Sequence, residues 1–245
     1  EPFYLKKNLS YLFDILPKHS KIVGCVVTDV SPFGKKESFF SKAVKTYKIF
    51  GLRFFSYYSF KYLKSKFDLK KNIFKFLKSK SVPIITLNQA INNSKSVNKI
   101  KSFRPDLLVS ILGNQIFKKP ILNLAPKGCI NLHTALLPKY RGLMPTFWVM
   151  KNNEVKTGVS VFFVDEGIDS GPIIVQTEVK IGNRTQEELI NHTKKIGMEA
   201  IAKSINLIQK DNVKLIENDS SKKTYYSFPT RKDVLDFKKK GKKFF

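Results

Sequence analysis

Asn131 and His133, two residues apart in INLHTALLPKYRG, and the carboxylates of VFFVDEGIDSGP at 161–172 are the groups whose types and spacing could do chemistry in this chain. Side chains at i and i+2 of a β-strand point to the same face. The amide and the imidazole therefore project together, with Leu132 turned away. Pro138, Arg141 and Gly142 follow at once and shape a stiff turn beside them. In the second run Asp165 and Asp169 stand with Gly167 and Gly171, which let a loop bend back. An amide, an imidazole and a carboxylate can thus converge. A carboxylate near an imidazole favours the protonated ring, and with an amide N–H that makes two donors for one oxygen. Such a pair suits a carbonyl that becomes tetrahedral and anionic, while Asp169 accepts a proton from an attacking amine. Each oxyanion donor is worth roughly 10²–10³ in rate and acid–base help roughly 10²–10⁴. No Ser or Cys stands in the set as an evident nucleophile, so direct acyl transfer is favoured over a covalent acyl-enzyme.

The bland alternative is a chance N-x-H tripeptide with a structural histidine, which is how His19, in a loop, and His192, within a helical run, are read. A metal reading of His133 with Asp165 or Asp169 lacks a second His or Cys nearby, and no metal is expected.

The elements that must position these groups follow from hydrophobic periodicity. FYLKKNLSYLFDIL reads as a helix. KIVGCVVTDV, VPIITL, RPDLLVSIL, KGCINLH and TGVSVFFV read as strands. A helix is predicted to begin near Thr146 and to end near Asn152–Asn153. Another starts at the capping-box pair Thr185 and Glu188, with Leu189, Ile196, Ala200 and Leu207 on one face. Residues 34–80 interleave lysine with aromatics at helical spacing, with Gly51 as a break, and are expected to form a helical insertion. The alternation predicts an α/β fold: an open, mostly parallel, Rossmann-like sheet that binds ligands at the carboxyl ends of its strands. Both chemistry-bearing runs fall at such ends. The basic tail is expected to pack only in part.

With 45 Lys+Arg against 19 Asp+Glu in 245 residues, the formal net charge is +26. That excess favours an anionic partner, or reflects lysine accumulated on solvated faces. Two cysteines without metal-ligand spacing read as buried thiols of a reducing compartment, so a cytoplasmic protein is expected. No apolar run reaches membrane-span length. The chain opens at Glu1 with neither a Met nor an opening strand, and a segment is expected to precede it.

GCINLHTALLPKYRG, then PTFW, then TGVSVFFVDEGIDSGPII resembles the folate-dependent formyltransferase family, over most of 80–182. Members of that family act on methionyl-tRNA, glycinamide ribonucleotide or amino-sugar nucleotides. The tail SFPTRKDVLDF is also similar to members of the tRNA type, so the chain looks like the catalytic domain of that branch. The resemblance implies that Asn131, His133 and Asp169 are catalytic and that 10-formyltetrahydrofolate is the formyl donor. It implies folate contacts from the loop Leu112, Gly113, Asn114, Gln115, Ile116 and Phe117, and from Leu137 and Asp165. The expected organisation is a catalytic domain over 1–210, carrying the 34–80 insertion, and a basic extension over 211–245. No β-barrel domain of the tRNA enzymes is expected after the capped helix, and the amine acceptor is expected to be either methionyl-tRNA or a small amine such as an amino-sugar nucleotide. Two alternatives stand beside this: a degenerate formyltransferase fold that binds RNA or anionic membrane, and a formyltetrahydrofolate hydrolase. A homodimer is compatible with the aromatic segment, and a membrane is the less favoured partner.

Overall fold

The computed structural model of the chain describes residues 2–27, 38–111 and 115–245. Helix α1 (Pro2–Ile15) leads to α2 (Phe39–Phe50) and α3 (Leu52–Ser79). The break between α2 and α3 is Gly51, whose φ of 85° suits a residue without Cβ. Ser38 caps α2 by accepting from the Ser41 N–H. Then come α4 (Ser94–Lys101), β1 (Leu108–Ser110), α5 (Lys119–Leu122), β2 (Cys129–His133), β3 (Arg141–Gly142) and α6 (Pro145–Lys151). β4 (Lys156–Phe163), β5 (Ile173–Lys180), α7 (Gln186–Gln209), β6 (Tyr225–Tyr226) and α8 (Arg231–Lys239) complete the order. The capping box of Thr185 and Glu188 starts α7, and a second, Thr230 with Asp233, starts α8.

The fold is α/β, but its main sheet is mixed rather than mostly parallel. Its order is β1-β2-β4-β5; β1 and β2 run parallel, while β4 is antiparallel to both β2 and β5. The connections explain the difference. A parallel return needs a crossover along the sheet. Between β2 and β4 the only helix is α6, seven residues and therefore about 10 Å long, too short to carry the chain back past β2. The strand consequently returns antiparallel, with His133 opposite Ser160 in the middle of β4 and Ile130 opposite Phe163 at its end. Between β4 and β5 only the loop 164–172 intervenes, and such a link returns the chain antiparallel.

Among the described residues the two apolar runs expected as strands, around Cys25 and Ile84, pair through an isolated parallel bridge. Residues 28–30 of the first run lie outside the described residues. The outer edge of β1 borders an apolar cleft of about 410 Å³, lined by Leu12, Leu16, Ile85, Phe103, Leu107 and Ile205 among others. Among the described residues no strand pairs with that edge, and Val109 is exposed.

Two apolar clusters form around α7. Ile130, Leu132, Val159 and Val161 pack against Met198 and Ile201 of α7 and Leu12 of α1. A second cluster brings Phe50 of α2, Phe147 and Trp148 of α6, and Leu189 of α7 together with Val234, Phe237 and Phe244. The tail is therefore more deeply packed than its composition implies: the Phe147, Phe237 and Phe244 rings stack, and β6 pairs with β3. Among the described residues no helix is long and apolar enough to cross a membrane.

Candidate functional site

β2 ends at His133, and the strand pleat sends Asn131 and His133 to one side, as their spacing predicts. His133 is only 6% exposed. Its Nε2 lies 2.7 Å from the Tyr140 carbonyl, which can only accept, so that nitrogen carries a proton. Nδ1 is thereby turned to Asp169 Oδ2 at 3.6 Å, longer than a closed N–H···O bond. The same Oδ2 accepts from the Gly142 N–H at 2.8 Å, so the turn after β2 orients the carboxylate. Asn131 Oδ1 is buried and has no hydrogen-bond partner. Buried polar atoms are rarely left so, and one facing a cavity marks a place for a ligand donor or for a turned amide.

The loop that carries Asp169 is held by residues far away in sequence. Asp169 adopts φ 49°, in the left-handed region. Asn218 Nδ2 donates to the carbonyls of Asp169 (2.9 Å) and Gly171 (2.8 Å). Arg141, itself buried, donates through Nη2 to Asn218 Oδ1 at 2.8 Å and to its carbonyl at 3.1 Å. Gly142 has φ 96°, and a Cβ there would lie 2.3 Å from the Tyr226 carbonyl across the β3–β6 pair. Asp165 shapes the other end of the loop, where Oδ1 accepts from the Gly167 N–H (3.1 Å) and the Ser170 hydroxyl (2.6 Å).

These groups share one cavity of about 580 Å³, a size suited to a small-molecule ligand. Asn131, His133, Asp165 and Asp169 line it, as do Gln115, Ile116 and Phe117. Gln115 and Ile116 are tied back to the loop at 91–92, through the Ile91 N–H to Gln115 Oε1 and the Asn92 amide to the Ile116 carbonyl. Leu112, Gly113 and Asn114 lie outside the described residues. Leu137 is not brought to the cavity; its side chain packs with Phe162 and Ile173, because the backbone is held inward by the Ser160 hydroxyl and the Gln176 amide.

Several lining residues carry no local signal. Gln186, Ile190, Lys194 and Met198 recur every four residues along α7, and Thr46, Phe50, Phe54 and Tyr58 come from α2 and α3. Gln186 and Lys194 are buried, although a Gln and a Lys on a helix usually face solvent, so their types gave no sign of a cavity wall. Asn218 sits in the tail with nothing nearby in sequence to mark it. Cys129 is no rival nucleophile: burial pushes its thiol up to about 12. Among the described residues no three His, Cys, Asp or Glu side chains gather as a metal site.

A family model described as "Formyl transferase" matches residues 64–205, more than half of the chain. Methionyl-tRNA formyltransferase of Alkaliphilus oremlandii is 38% identical over 142 residues, covering 58% of this chain and 46% of that protein. The enzyme of the same name from Clostridioides difficile is 44% identical over 117 residues, 47% of this chain and 38% of that protein. The chain thus spans less than half the length of these two curated relatives. Among solved structures, the N-formyltransferase of Helicobacter canadensis, in complex with folinic acid and dTDP-3-aminofucose, superposes with a TM-score of 0.56 at 20% identity. That match covers 91% of this chain and 66% of the other, and at such identity it speaks for the fold.

Proposed function

Because this chain belongs to the formyl transferase family, we propose that it passes a formyl group from 10-formyltetrahydrofolate to a primary amine. The observation that carries the reading is the meeting of Asn131, His133 and Asp169 in one buried cavity wall, with the carboxylate aimed by the Gly142 N–H. The cavity fits a folate by its volume, by the unpartnered Asn131 Oδ1, and by the apolar strip of Ile116, Phe117, Phe162 and Val164. Gln115, Ile116, Phe117 and Asp165 are the residues that would hold it. When bound, the donor supplies an activated formyl group on nitrogen.

The chain's own groups then divide the work. With Nε2 held by the Tyr140 carbonyl, a protonated His133 has Nδ1–H to offer to the formyl oxygen, and the Asn131 amide is the second donor. Asp169 keeps Oδ2 on the Gly142 N–H and has Oδ1 to take the proton that the amine loses as its new C–N bond forms. The folate nitrogen departs with the electron pair of the broken bond and is reprotonated. Two acceptors remain in view. Methionyl-tRNA is supported by the curated relatives and by the net charge of +26; an amino-sugar nucleotide is supported by the sugar bound to the Helicobacter canadensis enzyme.

Tetrahydrofolate release, followed with a panel of amines that includes charged tRNA and amino-sugar nucleotides, tests the reading. Asp169→Ala and His133→Ala should each lose roughly 10²–10⁴ in turnover. Full activity in both variants, or release that needs no amine, would overturn it. A tRNA acceptor is further marked by steep weakening with added salt.

A further inference from the structure

The helical hairpin of α2 and α3 has two different faces. Its inner face is part of the core and cavity: Phe50 is buried, Phe54 stacks on it, and Tyr57 and Lys61 both reach Glu187 of α7. Its outer face stays apolar. Phe39, Phe40, Leu52, Phe60 and Leu63 are exposed, with Phe40 at 76%, Phe60 at 72% and Leu52 at 66%. On α3 the exposed Leu52, Ser56, Phe60 and Leu63 recur at helical spacing, so they form one stripe. Lys48, Arg53 and Lys64 are exposed beside it. From 39 to 64 the sequence has six Lys and Arg and no Asp or Glu.

We propose that this outer face docks on an anionic lipid surface. An amphipathic element that carries Phe and Leu on one side, flanked by cations, inserts its apolar side at the headgroup boundary while the cations meet acidic lipids. Two other occupants fit less well. Exposed rings can stack on nucleic-acid bases, but Leu52 and Leu63 have no π-face to stack. A second copy would bring two acid-free cationic faces together, and like charges repel. The preference for a lipid surface runs against the expectation from sequence, because only the packing shows which aromatics the core consumes and which aliphatics it leaves outside. The proposal is independent of the formyl-transfer reading.

The test uses the full chain and vesicle flotation, with no activity measurement. Vesicles of phosphatidylcholine with 30% phosphatidylglycerol should carry the protein, and neutral phosphatidylcholine vesicles should carry at least about ten-fold less. Phe40→Ser combined with Phe60→Ser should weaken partitioning about ten-fold or more. Lys48→Gln and Lys64→Gln should each weaken it about five-fold. All these positions are exposed, and an unchanged melting temperature in the variants confirms that they fold. Equal binding to neutral and acidic vesicles would overturn the proposal, as would binding that the serine pair leaves intact. So would protein that ignores vesicles while the same serine pair abolishes binding to a single-stranded RNA oligomer or dissociates a dimer seen by sedimentation.

Discussion

Asn218→Ala should separate the positioning of Asp169 from its chemistry. Asn218 does not line the cavity, yet it makes two bonds to the carbonyls of the carboxylate loop and accepts a third from Arg141. Two neutral bonds at about 0.5–1.5 kcal/mol each and one charge-assisted bond at about 1.5–3 kcal/mol sum to about 2.5–6 kcal/mol if nothing replaces them. The lower end is expected, since Arg141 keeps the Asn218 carbonyl at 3.1 Å and the Ser220 hydroxyl at 3.3 Å. Urea unfolding measures that loss. In kinetics, freeing the Asp169 backbone by about 1 Å should cut kcat about 10²-fold, with KM for the folate nearly constant. Asn218→Asp is the informative companion: it keeps an acceptor for Arg141 but sets a carboxylate against two carbonyls, so it should be no better than alanine for kcat although it retains the arginine contact. A lower unfolding midpoint with kcat within two-fold of the parent, and an unchanged pH–rate profile, would refute the reasoning and leave Asn218 as a packing residue.

Two other outcomes follow from geometry and burial. Gly142→Ala places a side chain at φ 96° and 2.3 Å from the Tyr226 carbonyl, which should destabilise the protein by about 1–3 kcal/mol or more and loosen the N–H that orients Asp169, read as a joint fall in melting temperature and kcat. Cys129, held as a thiol to about 12 by burial, should resist iodoacetamide at pH 8 in the folded chain and react once urea unfolds it, by mass spectrometry. The sign of the linkage is that of a raised acid. The neutral thiol favours the folded state, a contribution fully present below the ordinary thiol value near 9 and lost as pH rises from there towards 12.

The pairing of Asn131 with His133, and the loop that carries Asp169, were legible because the signals for them are local. A strand's period of two sets Asn131 and His133 on one face, and glycines at 167 and 171 permit the loop that returns Asp169. The same holds for the helix starts at Thr185 and for the break at Gly51, where a side chain or its absence acts on its own backbone. Strand direction was not legible. It depends on whether α6 is long enough to recross the sheet, a comparison of lengths between elements that apolar runs do not express. The runs around Cys25 and Ile84 read as strands by composition, and among the described residues they share a single bridge, since a strand exists only through a neighbour's hydrogen bonds.

What the amino-acid order determined by itself is therefore which groups are on offer and the elements that bear them: an amide and an imidazole on one strand face and an acid in a glycine-flanked loop, in an α/β chain. Only the tertiary structure decided what surrounds them. It bent the tail back so that Asn218 clasps the Asp169 loop, sank Lys194 and Gln186 of α7 into a cavity wall, and left Phe40, Phe60 and Leu52 outside. Burial and long-range hydrogen bonding are properties of pairs of distant segments, and no short window of sequence contains both members of such a pair.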